Sequence, residues 1–184
     1  DDTTGCLVKK FGKIRRAASA DIMLSKRTAN NRRLHLLDSI FPRAKYIHLI
    51  RDGRDVANSL CSVEWWDDHV VWWDGRTARQ MEKDGEERLK ICARNWVNEV
   101  RELDSRLMTI DKDRILEVRF EQFLSDPVGS LEIIMEFLAL EMTDEYRRAI
   151  ESLELVYRPR NWRVLFSPEQ LDMVLAEQRE YLVK

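Results

Sequence analysis

No run of this 184-residue sequence stays apolar for the roughly 18 residues that crossing a bilayer requires, so it predicts no transmembrane helix. Cysteine is scarce too. Cys6, Cys61 and Cys92 are odd in number, far apart in sequence and without histidine at ligand spacing, which argues against a disulfide framework or a zinc site. No metal is expected, and the thiols are expected to be buried or incidental. With only 6 Gly and 4 Pro, and no repeats or low-complexity linkers, the composition does not point to disorder. Neither sign of charge dominates: 31 Lys and Arg against 33 Asp and Glu leave a net charge of -2. The overall balance therefore gives no reason for nonspecific binding to nucleic acid or anionic membrane, and any anion site has to be local. The opening DDTTGCLVKKFGKIRR has no apolar signal core. It starts on Asp rather than Met, so the true N-terminal part is expected to be absent. Residues 1–20 are expected to be a poorly defined lead-in, and a cytoplasmic location is the expectation for the rest.

What is present suits one soluble α/β domain spanning residues 1–184, since 44% of the residues are hydrophobic and a core can be buried. AKYIHLI (44–50) and RILEVRF (114–120) are predicted strands, and DIMLS (21–25) is a weaker third. Leu34, Leu37 and Phe41 share a helical face that Pro42 closes. Leu89, Cys92, Trp96, Val100, Leu103 and Leu107 predict an amphipathic helix from about Gly85 to Met108. Asp126 followed by Pro127 predicts a capped helix start with Leu131, Ile134 and Leu138 inward. Ser167, Pro168 and Gln170 predict a capping box at the last helix. Alternating strands and helices imply a parallel sheet flanked by helices. The segment EWWDDHVVWWDG (64–75) holds four of the six tryptophans. It is either a surface loop whose indoles cap the core, or a lid or a wall against a second substrate.

The segment richest in chemistry is KYIHLIRDGRDVANSL (45–60). A buried strand delivers Arg51 at its carboxyl end, the chain turns through Asp52 and Gly53, and a helix with Val56 and Leu60 follows. Ligands of open α/β sheets bind at that edge. Free amides and the positive end of the helix suit a phosphate, to which Arg51 adds a guanidinium fork and Ser59 a hydroxyl. Arg54 and Asp55 pair with each other or with neighbours. By itself, an arginine and an aspartate at a strand end also suits a structural ion pair.

FPRAKYIHLIRDGRDVANSL (41–60) resembles the 3′-phosphate-binding segment of sulfotransferases, in which an Arg and a Ser eight residues apart hold the nucleotide's 3′-phosphate. SKRTANNRRL (25–34), ARNWVNEV (93–100), LEVRFEQFLSDPVGSLEIIMEFLAL (116–140) and RPRNWRVLFSPEQ (158–170) resemble further segments of that family, in the same order. The likeness is greatest to bacterial-type members. It implies a P-loop-type fold and the co-substrate 3′-phosphoadenosine 5′-phosphosulfate, whose sulfuryl group moves to a hydroxyl or amine of a small molecule or glycan. It also implies that Arg51 and Ser59 are the 3′-phosphate ligands, with Arg158 and Arg160 contributing from the C-terminal loop. Phe120 stands where many relatives have a tyrosine near the adenine, so stacking or packing is the implied role. Lys26 and Arg27 lie near the family's lysine.

The resemblance is incomplete. The family's glycine-rich loop, which wraps the 5′-phosphosulfate, has no counterpart: Gly5, Gly12, Gly53, Gly75, Gly85 and Gly129 all stand outside a strand, Gly-x-x-x-x-Gly-[Ser/Thr], helix context. The sheet is therefore expected to be N-terminally incomplete. The family's histidine position falls on Thr28 or Ala29, and His35 and His48 lie in predicted elements. His69, between the tryptophan pairs, remains the candidate for a base that meets an acceptor. The alternatives are a noncatalytic nucleotide- or partner-binding remnant of the same fold, and a nucleotide kinase, disfavoured because no phosphate loop or magnesium-binding acid is visible.

Overall fold

Two strands set the architecture: β1 (Tyr46–Ile50) and β2 (Ile115–Arg119) run parallel, in register from Tyr46 opposite Ile115 to Ile50 opposite Arg119. Parallel strands need a crossover, and helices supply it. The structure is a computed structural model that describes residues 2–153 and 162–182. In chain order its helices are α1 (Asp2–Ala17), α2 (Leu34–Ile40), α3 (Gly53–Cys61), α4 (Ala78–Lys83), α5 (Arg88–Leu107), α6 (Phe120–Ser125), α7 (Pro127–Leu138), α8 (Asp144–Glu151), α9 (Trp162–Leu165) and α10 (Pro168–Leu182). Strand β1 precedes α3, and β2 joins α5 to α6. Among the described residues, no helix is long and apolar enough to cross a membrane.

The helix starts follow their local chemistry. Asp126 accepts from the Gly129 N–H at 2.9 Å and Pro127 occupies the first position of α7. Ser167 and Gln170 exchange side-chain bonds with each other's amides, a reciprocal capping box at α10. A second capping box, Thr77 with Gln80, opens α4. Gly85 stops α4 with φ of +93°, a left-handed conformation in which the Glu86 N–H reaches back to the Met81 carbonyl at 3.0 Å.

Three expectations change. Residues 21–25 form no strand. Ile22 and Leu24 are 54% and 80% exposed, and among the described residues no strand pairs with that backbone, whose Asp21 and Ser25 carbonyls accept side-chain bonds from Arg15 and Asn30 instead. The second strand ends one residue early, and Phe120 opens α6 instead. The lead-in is a helix: Leu7, Phe11 and Ile14 share one face of α1, and Phe11 meets Phe41 edge-on at 5.3 Å.

The chain divides into two compact units, Asp1–Ala44 with Glu102–Arg114, and Lys45–Arg101 with Ile115–Lys184. In the first, the Arg114 guanidinium bonds the Ala44 carbonyl at 3.0 Å and pairs with Asp38. In the second, Ala57, Trp66, Val71, Ala78, Met81, Ile91, Cys92, Ala93 and Val174 form a dry core, each at most 1% exposed. Trp96, Val97 and Val100 of α5 build a neighbouring cluster with Val56, Tyr181 and Leu182. The periodic apolar face of α5 thus packs as its spacing predicts.

The tryptophan-rich segment is held largely as a cap on this core. Trp66 is buried to 1%, the Trp72 indole donates to Glu99 at 2.8 Å, and the Trp73 indole donates to Asn95 at 3.0 Å. Trp65 is left 62% exposed. Around it, Arg88 bridges Asp67 and Glu82, while Arg76 bridges Asp74, Asp84 and Glu86. The aspartates among the indoles therefore serve as ion-pair partners.

Candidate functional site

Parallel register carries the site. Since Ile50 lies opposite Arg119, the next residues of each chain segment meet beyond the sheet. The Arg51 guanidinium sits over the Phe120 ring, 5.1 Å from its centroid, and the Asp52 N–H donates to Glu121 Oε1 at 2.9 Å. Helix α3 starts here, at the carboxyl edge of the strands.

Asp52 caps α3. Its Oδ1 accepts from the Arg54 N–H at 2.9 Å, and the same carboxylate holds the Arg54 side chain through both oxygens, with the shortest contact 2.6 Å. Arg54 thus pairs with Asp52 rather than Asp55, and its guanidinium lies 4.0 Å from the Trp162 ring centroid. Burial pushes the Asp52 carboxyl up, but the bonds and charge of Arg54, with a bond from Trp162, outweigh it and leave Asp52 below its ordinary 3.8. The Asp52 bond in turn raises Arg54.

Gly53 is fixed from behind. The buried Gln178 side chain of α10 donates to the Gly53 carbonyl at 2.9 Å. A Cβ at Gly53 would lie 2.6 Å from Trp96 Cε3 and 2.8 Å from Gln178 Oε1, so only glycine allows this approach of α3 to α5 and α10.

Four buried side-chain atoms among the described residues have no hydrogen-bond partner: Arg51 Nε, Asp55 Oδ1, Gln178 Oε1 and, in the core cluster, Trp66 Nε1. Arg51 Nε is buried and has no hydrogen-bond partner among the described residues. Asp55, 4% exposed, leaves its Oδ1 equally unpartnered. Burial, then the Asp52 charge, raise the Asp55 carboxyl above its ordinary value, while Arg51 and a backbone bond from Trp162 pull it down. An orphaned buried guanidinium nitrogen fits an incoming oxyanion. The helix amides fit less well than the sequence suggests, because Glu121 occupies that of Asp52 and Asp52 that of Arg54.

Ser59 follows in the second turn of α3 and is half-buried. Phe120 is brought to Arg51 as described. Arg158 and Arg160 lie outside the described residues. His69 is exposed, with its ring stacked on Trp66 at 5.6 Å and edge-on to Trp65 at 5.6 Å. His48 is buried in β1, with Nδ1 3.6 Å from Glu117, and His35 is exposed on α2. Among the described residues, no group of His, Cys, Asp and Glu could hold a metal. Sequence reasoning missed Glu121, Trp162 and Gln178. Glu121 follows from extending the strand register by two residues, whereas a buried glutamine on an amphipathic helix carries no pattern of its own.

Residues 7–144 match the sulfotransferase family. The chain is 27% identical over 118 residues to the omega-hydroxy-beta-dihydromenaquinone-9 sulfotransferase of Mycobacterium bovis, covering 64% of this chain and 29% of that protein. It is 24% identical over 123 residues to protein-tyrosine sulfotransferase 2 of Gallus gallus, covering 67% of this chain and 29% of that protein. The sequence thus spans less than a third of each of these relatives. Among solved structures it is similar to a sulfotransferase domain from the curacin biosynthetic pathway, with TM-score 0.57 and 16% identity over 75% of this chain and 46% of that one, a likeness of fold. With three quarters of its length matched and an α/β fold shared, the chain belongs to the sulfotransferase family.

Proposed function

We propose that this chain forms the 3′-phosphate-binding part of a sulfotransferase that uses 3′-phosphoadenosine 5′-phosphosulfate and transfers its sulfuryl group to a hydroxyl or amine. The observation that carries the reading is the buried Arg51 Nε at the start of α3, which has no partner among the described residues. A nucleotide 3′-phosphate supplies the oxygen that this nitrogen lacks, and Ser59 adds a hydroxyl from the same helix.

Each surrounding group then has a definite task. Phe120 holds the guanidinium plane from one side. Glu121 and Asp52 fix the turn that carries Arg51. Gln178 and Trp96 clamp Gly53, so that α3 cannot slide along the sheet edge. The donor, when bound, supplies an activated sulfuryl group whose transfer requires in-line placement of the acceptor. This chain's contribution is to anchor the distant 3′ end of the donor, so that binding energy there positions the reacting end. His69 is proposed as the group that accepts the acceptor's proton, from its exposed place in the tryptophan-rich segment.

Calorimetry with 3′-phosphoadenosine 5′-phosphate and with adenosine 5′-phosphate tests the reading. Binding that depends on the 3′-phosphate is expected, and equal affinity for the two nucleotides would overturn it. Transfer of radiolabelled sulfate to an acceptor then separates an enzyme from a noncatalytic binder.

A further inference from the structure

The C-terminal helices α9 and α10 grip the turn after Arg51 at two consecutive residues. Gln178 of α10 holds the Gly53 carbonyl, and Trp162 of α9 lies against the Arg54 guanidinium, 4.0 Å from its ring centroid. Both residues are buried, Trp162 to 8%. Trp162 is in turn seated on the body of its unit. Its carbonyl accepts from the Phe166 N–H at 2.9 Å, its ring lies 6.4 Å from that of Phe166, and Phe166 packs against the main core cluster. The ring against Arg54 is thus fixed from the core.

Arg54 needs such a support. It engages the Asp52 carboxylate through Nε at 2.9 Å and a terminal nitrogen at 2.6 Å, and Asp52 Oδ1 also accepts from the Arg54 N–H to cap α3. Asp52 stands next to Arg51 in the chain and is half-buried. A carboxylate without its counter-ion at that place would repel a phosphate approaching Arg51, and would be less firmly held as the cap. The Arg54 guanidinium prevents both for as long as it stays on Asp52. An arginine has many rotamers, and stacking on a desolvated indole favours the one that meets this carboxylate.

We propose that Trp162 is a positioning residue of the nucleotide site: by stacking on Arg54 it keeps that guanidinium on Asp52, which holds the α3 cap in place and neutralises the carboxylate next to Arg51. The inference rests on the reading of Arg51 as a 3′-phosphate ligand. In this role Trp162 makes no contact with the nucleotide and acts only through Arg54 and Asp52. Loss of the ring face therefore affects recognition of the 3′-phosphate and spares the rest of the nucleotide.

Calorimetry with 3′-phosphoadenosine 5′-phosphate and adenosine 5′-phosphate gives, for each variant, the ratio of the two affinities, which isolates recognition of the 3′-phosphate. Trp162→Leu is expected to lower that ratio about tenfold, the size of a desolvated cation–π contact, and Trp162→Phe, which keeps a ring face, should restore most of it. Arg54→Met should lower it as much. The double variant of Arg54→Met with Trp162→Leu should lower it no further, because both changes reach Asp52 through the same guanidinium. A ratio unchanged in Trp162→Leu, an equal loss for both nucleotides, an equal fall in Trp162→Leu and Trp162→Phe, or additive losses in the double variant would each overturn the proposal. Urea unfolding of each variant verifies the fold, and an unchanged ratio in Arg54→Met overturns the proposal even where Trp162→Leu does not fold. A wild type that binds the two nucleotides equally removes the nucleotide reading and this inference with it. A wild type that prefers the 3′-phosphate leaves only the role of Trp162 to be decided by the variants.

Discussion

The Arg51 guanidinium lies over Phe120 at 5.1 Å because β1 and β2 are parallel and in register to their last residues. The ring braces the plane of the fork without using any of its N–H groups, and Nε stays buried and unpaired among the described residues. Arg51→Ala is expected to weaken binding of 3′-phosphoadenosine 5′-phosphate by about 1.5–3 kcal/mol, the scale of a charged hydrogen bond. Ser59→Ala should cost about 0.5–1.5 kcal/mol, as for a neutral one. Calorimetry on both variants measures this, and unchanged affinity in Arg51→Ala removes it from the site.

Asp52 and Asp55, three residues apart, should respond to acid in opposite ways. The Asp52 carboxyl is depressed, so its contribution is present above its ordinary 3.8 and is lost as pH falls through the lower folded value. The Asp55 carboxyl is raised, so the fold gains from its protonation, fully below 3.8, and loses that gain as pH rises through the folded value. Urea midpoints at neutral and acid pH should therefore show the advantage of wild type over Asp52→Asn shrinking on acidification. The balance between wild type and Asp55→Asn should move toward wild type over the same range. The reverse movement in either pair contradicts the assigned environments.

Gly53→Ala places a methyl 2.6 Å from the Trp96 ring and 2.8 Å from Gln178 Oε1. Both are held within the buried body of the unit, since Gln178 is fully buried and Trp96 nearly so. Overpacking of this kind costs about 1–3 kcal/mol, and a fall in the urea midpoint at constant slope is the expected result. Because the strain falls at the turn after Arg51, nucleotide affinity should fall along with stability. Full affinity in a destabilised Gly53→Ala protein would mean that the clamp does not position Arg51.

Much of this arrangement is legible in the sequence, where a residue's role depends on its near neighbours. The strands ending before Arg51 and near Phe120, the Asp126 cap and the Ser167 capping box all form from local pattern and chemistry. The first helix carries Leu7, Phe11 and Ile14 on one face, a spacing too short and too interrupted by Lys9, Lys10, Gly12 and Lys13 to announce it in the sequence. Residues 21–25 have strand-like composition, but a strand exists only if another pairs with it, which composition does not record. The Arg54 pairing with Asp52 is local, two residues apart, whereas the Trp162 ring over Arg54 and the Gln178 bond to Gly53 arise from contacts across the fold. No spacing in the chain announces them.

Neighbouring indoles in the tryptophan-rich segment should separate structure from recognition. Trp66 is buried to 1% and Trp65 is 62% exposed, and the two rings meet edge-on at 6.1 Å. Trp66→Ala empties a large volume in the core, and about 3–5 kcal/mol of stability should be lost. Trp65→Ala removes only edge-to-face contacts with Trp66 and His69, each worth about 0.5–1.5 kcal/mol. If the exposed ring forms an aromatic wall for the acceptor beside His69, Trp65→Ala should raise the acceptor KM while leaving affinity for 3′-phosphoadenosine 5′-phosphate unchanged. Acceptor kinetics together with nucleotide calorimetry on this one variant decide it. An unchanged acceptor KM returns Trp65 to the solvent, and a loss of nucleotide affinity moves the segment to the donor side of the reaction.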